Sequence, residues 1–397
     1  MRNVRLHVCA AALAVVAGPA FAADLGDWSI SPWTTALSGL NLTVGGRAEG
    51  SLFDTSMPKQ AGFEQQWASG LADISAKLER DYDSGLTLSL KSSFEVARDK
   101  LSYDNYGGRL VQKVYGLAQT GLGRVEIGMT DGAAYALSVT GPVVDDATSM
   151  DNANATFFLD PTTGRDFTRV FALNSAVESS LNYAKISYYT PRLFGLQLAA
   201  SYTPSEGRDV VPFLNNGPNL SNRQKSIWEG AASYSNYFGP VSVGLYGGFS
   251  FAHAERKTLG HAGLTEWGFG SEIDYNVNDD VKVAVGGAYR HTNTYAFDIY
   301  DALAAGGTDS THLSTTITDG PWIAGAEFGT GTADGGTVAP TIGVHGYQAS
   351  VGYVFNANLQ ATVGWQDLKY NRNSGLFYNG ASRIDMNAAF VHLKLHV

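Results

Sequence analysis

One cysteine, Cys9, occurs in 397 residues. Because it falls in an N-terminal leader described below, the rest of the chain has no thiol for a disulfide, a thiolate nucleophile or a cysteine metal site. Charge is also sparse, at 16% Asp, Glu, Lys and Arg, and what there is leans acidic, with 27 basic against 37 acidic residues. That balance argues against nucleic-acid binding. No stretch beyond the leader reaches the roughly 18 consecutive apolar residues of a membrane-spanning helix. Helical periodicity is scarce throughout. No Pro/Ser-rich hinge, charge block or composition shift divides the chain, so no linker separates domains. Gly-x-Ser-x-Gly and His-Glu-x-x-His are both absent, and His253, His261, His291, His312, His345, His392 and His396 are scattered along the sequence. Gly121-Leu-Gly123 does not open a dinucleotide-binding turn, since the segment after it continues as strand. These absences point to a protein that is not an enzyme and carries no cofactor or metal.

The leader has three parts. Arg2 and Arg5 make a basic start, an apolar run follows from Val8 to Val16, and Gly18-Pro19-Ala20-Phe21-Ala22 ends in an A-x-A pattern. Residues 1–22 are therefore expected to be a secretory signal peptide, with residues 23–397 as the exported protein. Removing 22 residues from 397 leaves 375, and losing Arg2 and Arg5 from the 27 basic residues leaves 25 against 37 acidic ones, a net charge of −12.

What the exported part does have is alternation. Val391, Leu393, Leu395 and Val397 share one face of an extended segment while His392, Lys394 and His396 share the other. This patterned terminal strand is expected to pair with the first strand, near Leu40–Leu52, and so remove both sheet edges. On it His392 and His396 lie roughly 13 Å apart, which suits pore lining and not a shared metal. Upstream, Ala72, Ile74, Ala76 and Leu78 oppose Asp73, Ser75, Lys77 and Glu79; after Asp81-Tyr-Asp-Ser-Gly85, Leu86, Leu88, Leu90 and Phe94 oppose Thr87, Ser89, Lys91 and Glu95. The pattern recurs in Val241–Phe251, Trp267–Tyr275, Val281–Tyr289, Tyr347–Tyr353 and Leu359–Trp365. About fourteen strands can be read this way, with one or two more expected between His291 and Gly346, where the pattern weakens.

A soluble sandwich also alternates one wet face with one buried face. Three features favour a membrane barrel instead: the strands run in one series, their connections alternate short and long, and Tyr, Trp and Phe recur at strand ends on the apolar side. The expected fold class is all-β, a transmembrane antiparallel β-barrel. About 375 residues at roughly 23 per strand and connection allow sixteen strands, with eighteen as the alternative, and barrels of that size hold an aqueous channel.

Three stretches add a resemblance. Lys113-Val-Tyr-Gly-Leu-Ala-Gln-Thr-Gly-Leu-Gly-Arg-Val-Glu-Ile-Gly128 resembles the strand–turn–strand that leads into the constriction loop of general porins of Gram-negative outer membranes. Asn182-Tyr-Ala-Lys-Ile-Ser-Tyr-Tyr-Thr-Pro191 followed by Phe194–Tyr202 looks like the hairpin that leaves that loop, and Val391–Val397 resembles their last strand. In that family the last residue is usually Phe, where this chain has Val397. The resemblance implies sixteen strands, a homotrimer in outer-membrane lipid, insertion by the barrel assembly machinery, and an external loop folded into the lumen.

Residues 130–180 are the longest region without a strand pattern and are expected to form that constriction loop. They carry Asp131, Asp145, Asp146, Asp151, Asp160, Asp166 and Glu178 against Arg165 and Arg169, while Arg47, Lys77, Lys91 and Lys113 fall on the polar faces of the first strands. The family pattern of wall cations facing loop carboxylates makes Arg47, Lys77, Lys91, Lys113, Asp145, Asp146 and Asp151 the candidate constriction. The expected function is passive diffusion of small hydrophilic solutes and ions, with a weak cation preference. The alternatives are a channel specific for a sugar or organic acid, and a structural or adhesive barrel with a plugged lumen.

Overall fold

The computed structural model describes residues 31–37, 39–56, 68–98, 111–152, 159–160, 165–166, 173–205, 224–254, 263–294, 305–334, 341–373 and 382–397. The expected signal peptide lies outside them. In chain order the strands are β1 Trp33–Leu37, β2 Leu40–Ser56, β3 Ala68–Asp81, β4 Thr87–Arg98, β5 Val111–Thr120 and β6 Gly123–Met129. A single helical turn, α1 Ala133–Ala136, and two two-residue strands, β7 Leu159–Asp160 and β8 Arg165–Asp166, interrupt the next connection. Then follow β9 Ala184–Tyr189, β10 Leu196–Ser205, β11 Gln224–Phe238, β12 Val241–Ala254, β13 Leu264–Asn276, β14 Val281–Thr294, β15 Ala305–Asp319, β16 Trp322–Asp334, β17 Ile342–Val354, β18 Leu359–Arg372 and β19 Arg383–His396.

Sixteen of these, β2–β6 and β9–β19, form a closed antiparallel barrel. Each pairs with the next in sequence, with β6 and β9 joined directly, and β19 closes on β2 through Arg47↔His396 to Ser56↔Asn387. The first residues of β2 pair instead with β1, from Leu40↔Leu37 to Val44↔Trp33. Reciprocal backbone hydrogen bonds join Gly46 and Val397, at 3.1 and 2.8 Å, between those two pairings. The sheet thus closes on itself, which is what a spanning structure in hydrocarbon requires of its backbone groups.

Alternation decides which side chains meet lipid. On β13, Trp267, Phe269, Ile273 and Tyr275 are exposed outward, while Glu266, next to Trp267 in sequence, is 3% exposed. Aromatic pairs gather near both ends of the apolar band: Trp322 packs on Tyr353 at 4.6 Å between ring centroids near the short turns, and Tyr202 on Trp228 at 4.6 Å near the long connections. The weakly patterned region between His291 and Gly346 supplies β15 and β16, which complete the sixteen. Outward positions of β15 include Thr311 and Thr315 beside Leu313 and Ile317, so its lipid face is only half apolar.

Candidate functional site

The connection between β6 and β9 runs inside the barrel along its described stretches, residues 130–152 and 173–183. Its entrance and exit are held together by Lys185 on β9, whose ammonium donates to the carbonyls of Thr130, Ser180 and Leu181. Glu229 on β11 accepts from the backbone N–H of Ala134 at one end and of Ser180 at the other, at 3.4 and 3.0 Å. From there the loop follows the wall made by the later strands. Arg290 donates to Asn174 O at 3.2 Å, Gln360 to Val144 O at 2.9 Å, and Thr362 Oγ1 to Asp145 Oδ2 at 3.2 Å. Ser149 Oγ and Met150 N donate to Glu327 Oε2 at 2.6 and 3.0 Å. Small lumen-facing residues make the close approach possible. A Cβ built on Gly325 falls 2.7 Å from Val144 Cγ2, one on Gly352 falls 2.9 Å from Val144 Cγ1, and one on Gly270 collides with Val139 O. Side chains at these points would hold the loop off the wall.

Pressed against β10–β19, the loop leaves an open space of about 660 Å³ between itself and β2–β5. Of the candidate residues, Arg47, Lys113, Asp146 and Asp151 line it. Asp145 does not: it is 4% exposed, turned to the wall, with His392 Nε2 at 3.6 Å and Lys394 Nζ at 3.7 Å. Lys77 and Lys91 lie nearer the short turns. Their pairing level is four residues, roughly 13 Å, from the Arg47–Asp73 pair along β2 and β3. There Lys77 bonds Glu79 at 3.0 Å, and Lys91 sits 5.9 Å from the centre of the Tyr115 ring.

The wall brings carboxylates of its own. Asp73 and Glu95 line the space from β3 and β4, and Asp131 and Glu178 join Asp146 and Asp151 from the loop, making six acidic groups against Arg47 and Lys113. Both cations are already engaged, Arg47 with Asp73 at 2.8 Å and Lys113 with Asp131 at 2.6 Å. The alternation of Asp73 and Glu95 with apolar neighbours marked them as lumenal; their juxtaposition with the loop is set by the barrel's register.

Electrostatics differ sharply among the loop acids. Burial alone would raise Asp146, but the hydrogen bond from Lys394 at 2.5 Å and its charge outweigh this and hold the carboxyl below its ordinary range. Burial raises Asp151 despite the nearby His312 and the bonds from Ser175. Glu178 is pushed up to about 7, first by burial and then by the charge of Asp131. The loop therefore carries one carboxylate held ionised by a lysine, Asp146, beside another, Glu178, that titrates near neutrality.

Comparison with known proteins agrees with this architecture. No curated protein matches the sequence. Among solved structures, the outer membrane channel DcaP of Acinetobacter baumannii matches with a TM-score of 0.57 at 12% identity, over 93% of this chain and 100% of its own. OmpT of Vibrio cholerae, in a trimer form, gives 0.55 at 12% identity over 91% and 100%. An anion-selective porin from Comamonas acidovorans gives 0.54 at 12% identity over 90% and 100%. At these identities the likeness establishes the fold. A family model described as Gram-negative porin matches residues 9–375. With that match across most of the chain, the sixteen-stranded barrel and its inner loop belong to a member of the Gram-negative porin family, a channel of the bacterial outer membrane.

Proposed function

We propose that this porin is a general diffusion channel for small hydrophilic solutes, with a weak preference for cations, exported on a signal peptide of residues 1–22. One observation carries the reading: a water-accessible space of about 660 Å³ is bordered by six acidic side chains and by two cations that are each salt-bridged to one of them. Rings of fixed charge bias ions in wide pores, and here the unbalanced charge is negative. Arg47, Lys113, Asp146 and Asp151 form the constriction together with Asp73, Glu95, Asp131 and Glu178. Lys77 and Lys91 belong to the mouth below it, and Asp145 holds the loop. Against a sugar-specific channel, Tyr135 is the one aromatic side chain among the described residues bordering the space, and no aromatic row leads through it.

Ser51, His392 and Asp145 have the members of a hydrolytic triad, with Ser51 Oγ 2.8 Å from His392 Nδ1. At 7%, 3% and 4% exposure they lie between loop and wall, where their bonds fasten the loop and offer a substrate no surface.

The assembly is a homotrimer inserted by the barrel assembly machinery. Outward positions of β2–β6 present Ile74, Leu78, Leu88, Leu90, Val96 and Ile127, with Phe94 the single aromatic among their described residues. The aromatic band is instead concentrated on β10–β18, so the smooth aliphatic sector is the face that meets neighbouring copies and the aromatic sector meets lipid. Planar-bilayer recording of the purified protein tests the channel. A linear, weakly cation-selective conductance that sugars and organic acids do not block is expected. Saturable block by one solute class would establish the specific channel instead, and a silent bilayer would leave a plugged barrel.

A further inference from the structure

We propose that His312 is a doubly protonated pin that fastens the inner loop to the wall and lets go of it when the ring loses a proton. His312 lies on the lumenal face of β15 and has no exposed surface. Its Nδ1 is 2.9 Å from the carbonyl of Thr140 on the loop, and its Nε2 is 3.1 Å from Glu327 Oε2 on β16. A backbone carbonyl and a carboxylate offer lone pairs only. A neutral imidazole has one N–H and one lone pair, so it would satisfy one of these contacts and oppose the other; the imidazolium donates at both.

The same carboxylate oxygen takes the bonds from Ser149 Oγ and Met150 N, and Gln348 Nε2 donates to its other oxygen at 2.9 Å. One arm of the loop, from Thr140 to Met150, therefore hangs on the His312–Glu327 pair at both of its ends. A buried carboxylate bearing this load needs a compensating charge, and the ring supplies it. The charged groups that face His312 are Glu327 from β16 and Asp151 from the loop, while β14 places Ala288 opposite it. Both of these neighbours are acidic side chains.

The sign follows directly. While the ring is protonated, both bonds hold; as pH rises through its titration, one bond becomes a repulsion between lone pairs and Glu327 loses its counter-charge. The arm is then weakened on the alkaline side. Thr140, Ser149 and Asp151 border the open space, so a loosened arm changes the passage itself.

The test pairs two measurements on the intact protein. Nitrogen-15 NMR of histidine-labelled protein in detergent is expected to show both nitrogens of His312 protonated at neutral pH, assigned by loss of the signal in His312→Gln. Single-channel recording from about pH 5 to about pH 10 is expected to show closures that become roughly tenfold or more frequent on the alkaline side, the scale of losing one buried charged hydrogen bond. His312→Gln should close often at every pH, and Glu327→Gln should move the transition to lower pH. A neutral ring at neutral pH, or a His312→Gln channel with the wild-type pH profile, overturns the proposal. Absence of any current would overturn the channel reading, while the NMR result would still decide the pin.

Discussion

Glu178 reaches from the inner loop into the open space beside Asp131, with Asn174 Nδ2 donating to it at 3.3 Å. Burial and then the charge of Asp131 raise its carboxyl to about 7, so it is neutral below that pH and anionic above it. Stability carries the same sign: a carboxyl raised in the fold favours the folded state in acid and loses that contribution as pH rises from the ordinary carboxylate range through about 7. For an ion passing about 5 Å away in water, a unit charge is worth ~0.8 kcal/mol, which is roughly a fourfold change in the local density of each ion. Cation preference, the ratio of cation to anion density, should therefore strengthen between about pH 6 and about pH 8 by up to roughly sixteenfold, about fourfold from each ion. The assay is the zero-current potential across a dilute potassium chloride gradient at both pH values. Glu178→Gln should abolish the step and leave the channel at its low-pH selectivity throughout. At 1 M salt, where the screening length is about 3 Å, the step should vanish in the wild type as well. A pH step that persists in Glu178→Gln would refute the assignment, and so would a step of opposite sign.

Two further outcomes follow from the split roles of the neighbouring aspartates and from the glycine-lined wall. Asp146→Asn leaves Lys394 without its exposed partner and should shift the zero-current potential toward anions, with stability changed by less than about 0.5 kcal/mol; Asp145→Asn breaks up a buried cluster and should cost about 1–3 kcal/mol in barrel unfolding with a smaller effect on selectivity. Equal selectivity shifts in the two variants would contradict the placement of Asp145 behind the passage. Gly325→Val puts side chain where Val144 Cγ2 would lie 2.7 Å from the new Cβ, so it should displace the loop and reduce single-channel conductance at a cost of about 1–3 kcal/mol; unchanged conductance would mean that the loop does not depend on this contact.

Strands were legible wherever both faces of the alternation were chemically distinct. β13 shows this best, with Trp267, Phe269 and Ile273 outward and Glu266 inward. β15 hid itself because Thr311 and Thr315 occupy outward positions, and threonine reads as polar although it suits a strand. β16 carries Ala324 and Ala326 at outward positions, too small to mark a face. The loop's acidity was also legible, as were the separate polar rows that hold Arg47 on β2 and Asp73 on β3. The division of labour within the loop was not: Asp145 and Asp146 are adjacent in sequence, yet one is buried against Thr362 and the other reaches Lys394 beside the passage. Glu229 and Glu327 gave a fainter signal, as single carboxylates beside lumenal Ile227, Ala231 and Ser233 on β11 and lumenal Gly325, Gly329 and Gly331 on β16.

Local chemistry thus determined the class of molecule. Period-two alternation gives each strand one apolar and one polar face whatever its partner strands are, and where the apolar face meets lipid the sheet has to close on itself to leave no edge. Register and loop path were decided by the tertiary structure. Which carboxylates face one another across the passage depends on the pairing of Arg47 with Asp73 and of Asp73 with Glu95. Which face of the loop is buried depends on glycines and carboxylates more than 90 residues away in the chain, such as Glu229 from Ala134. Those separations are invisible to any local pattern, and they convert a stretch of acidic loop into one side of a channel.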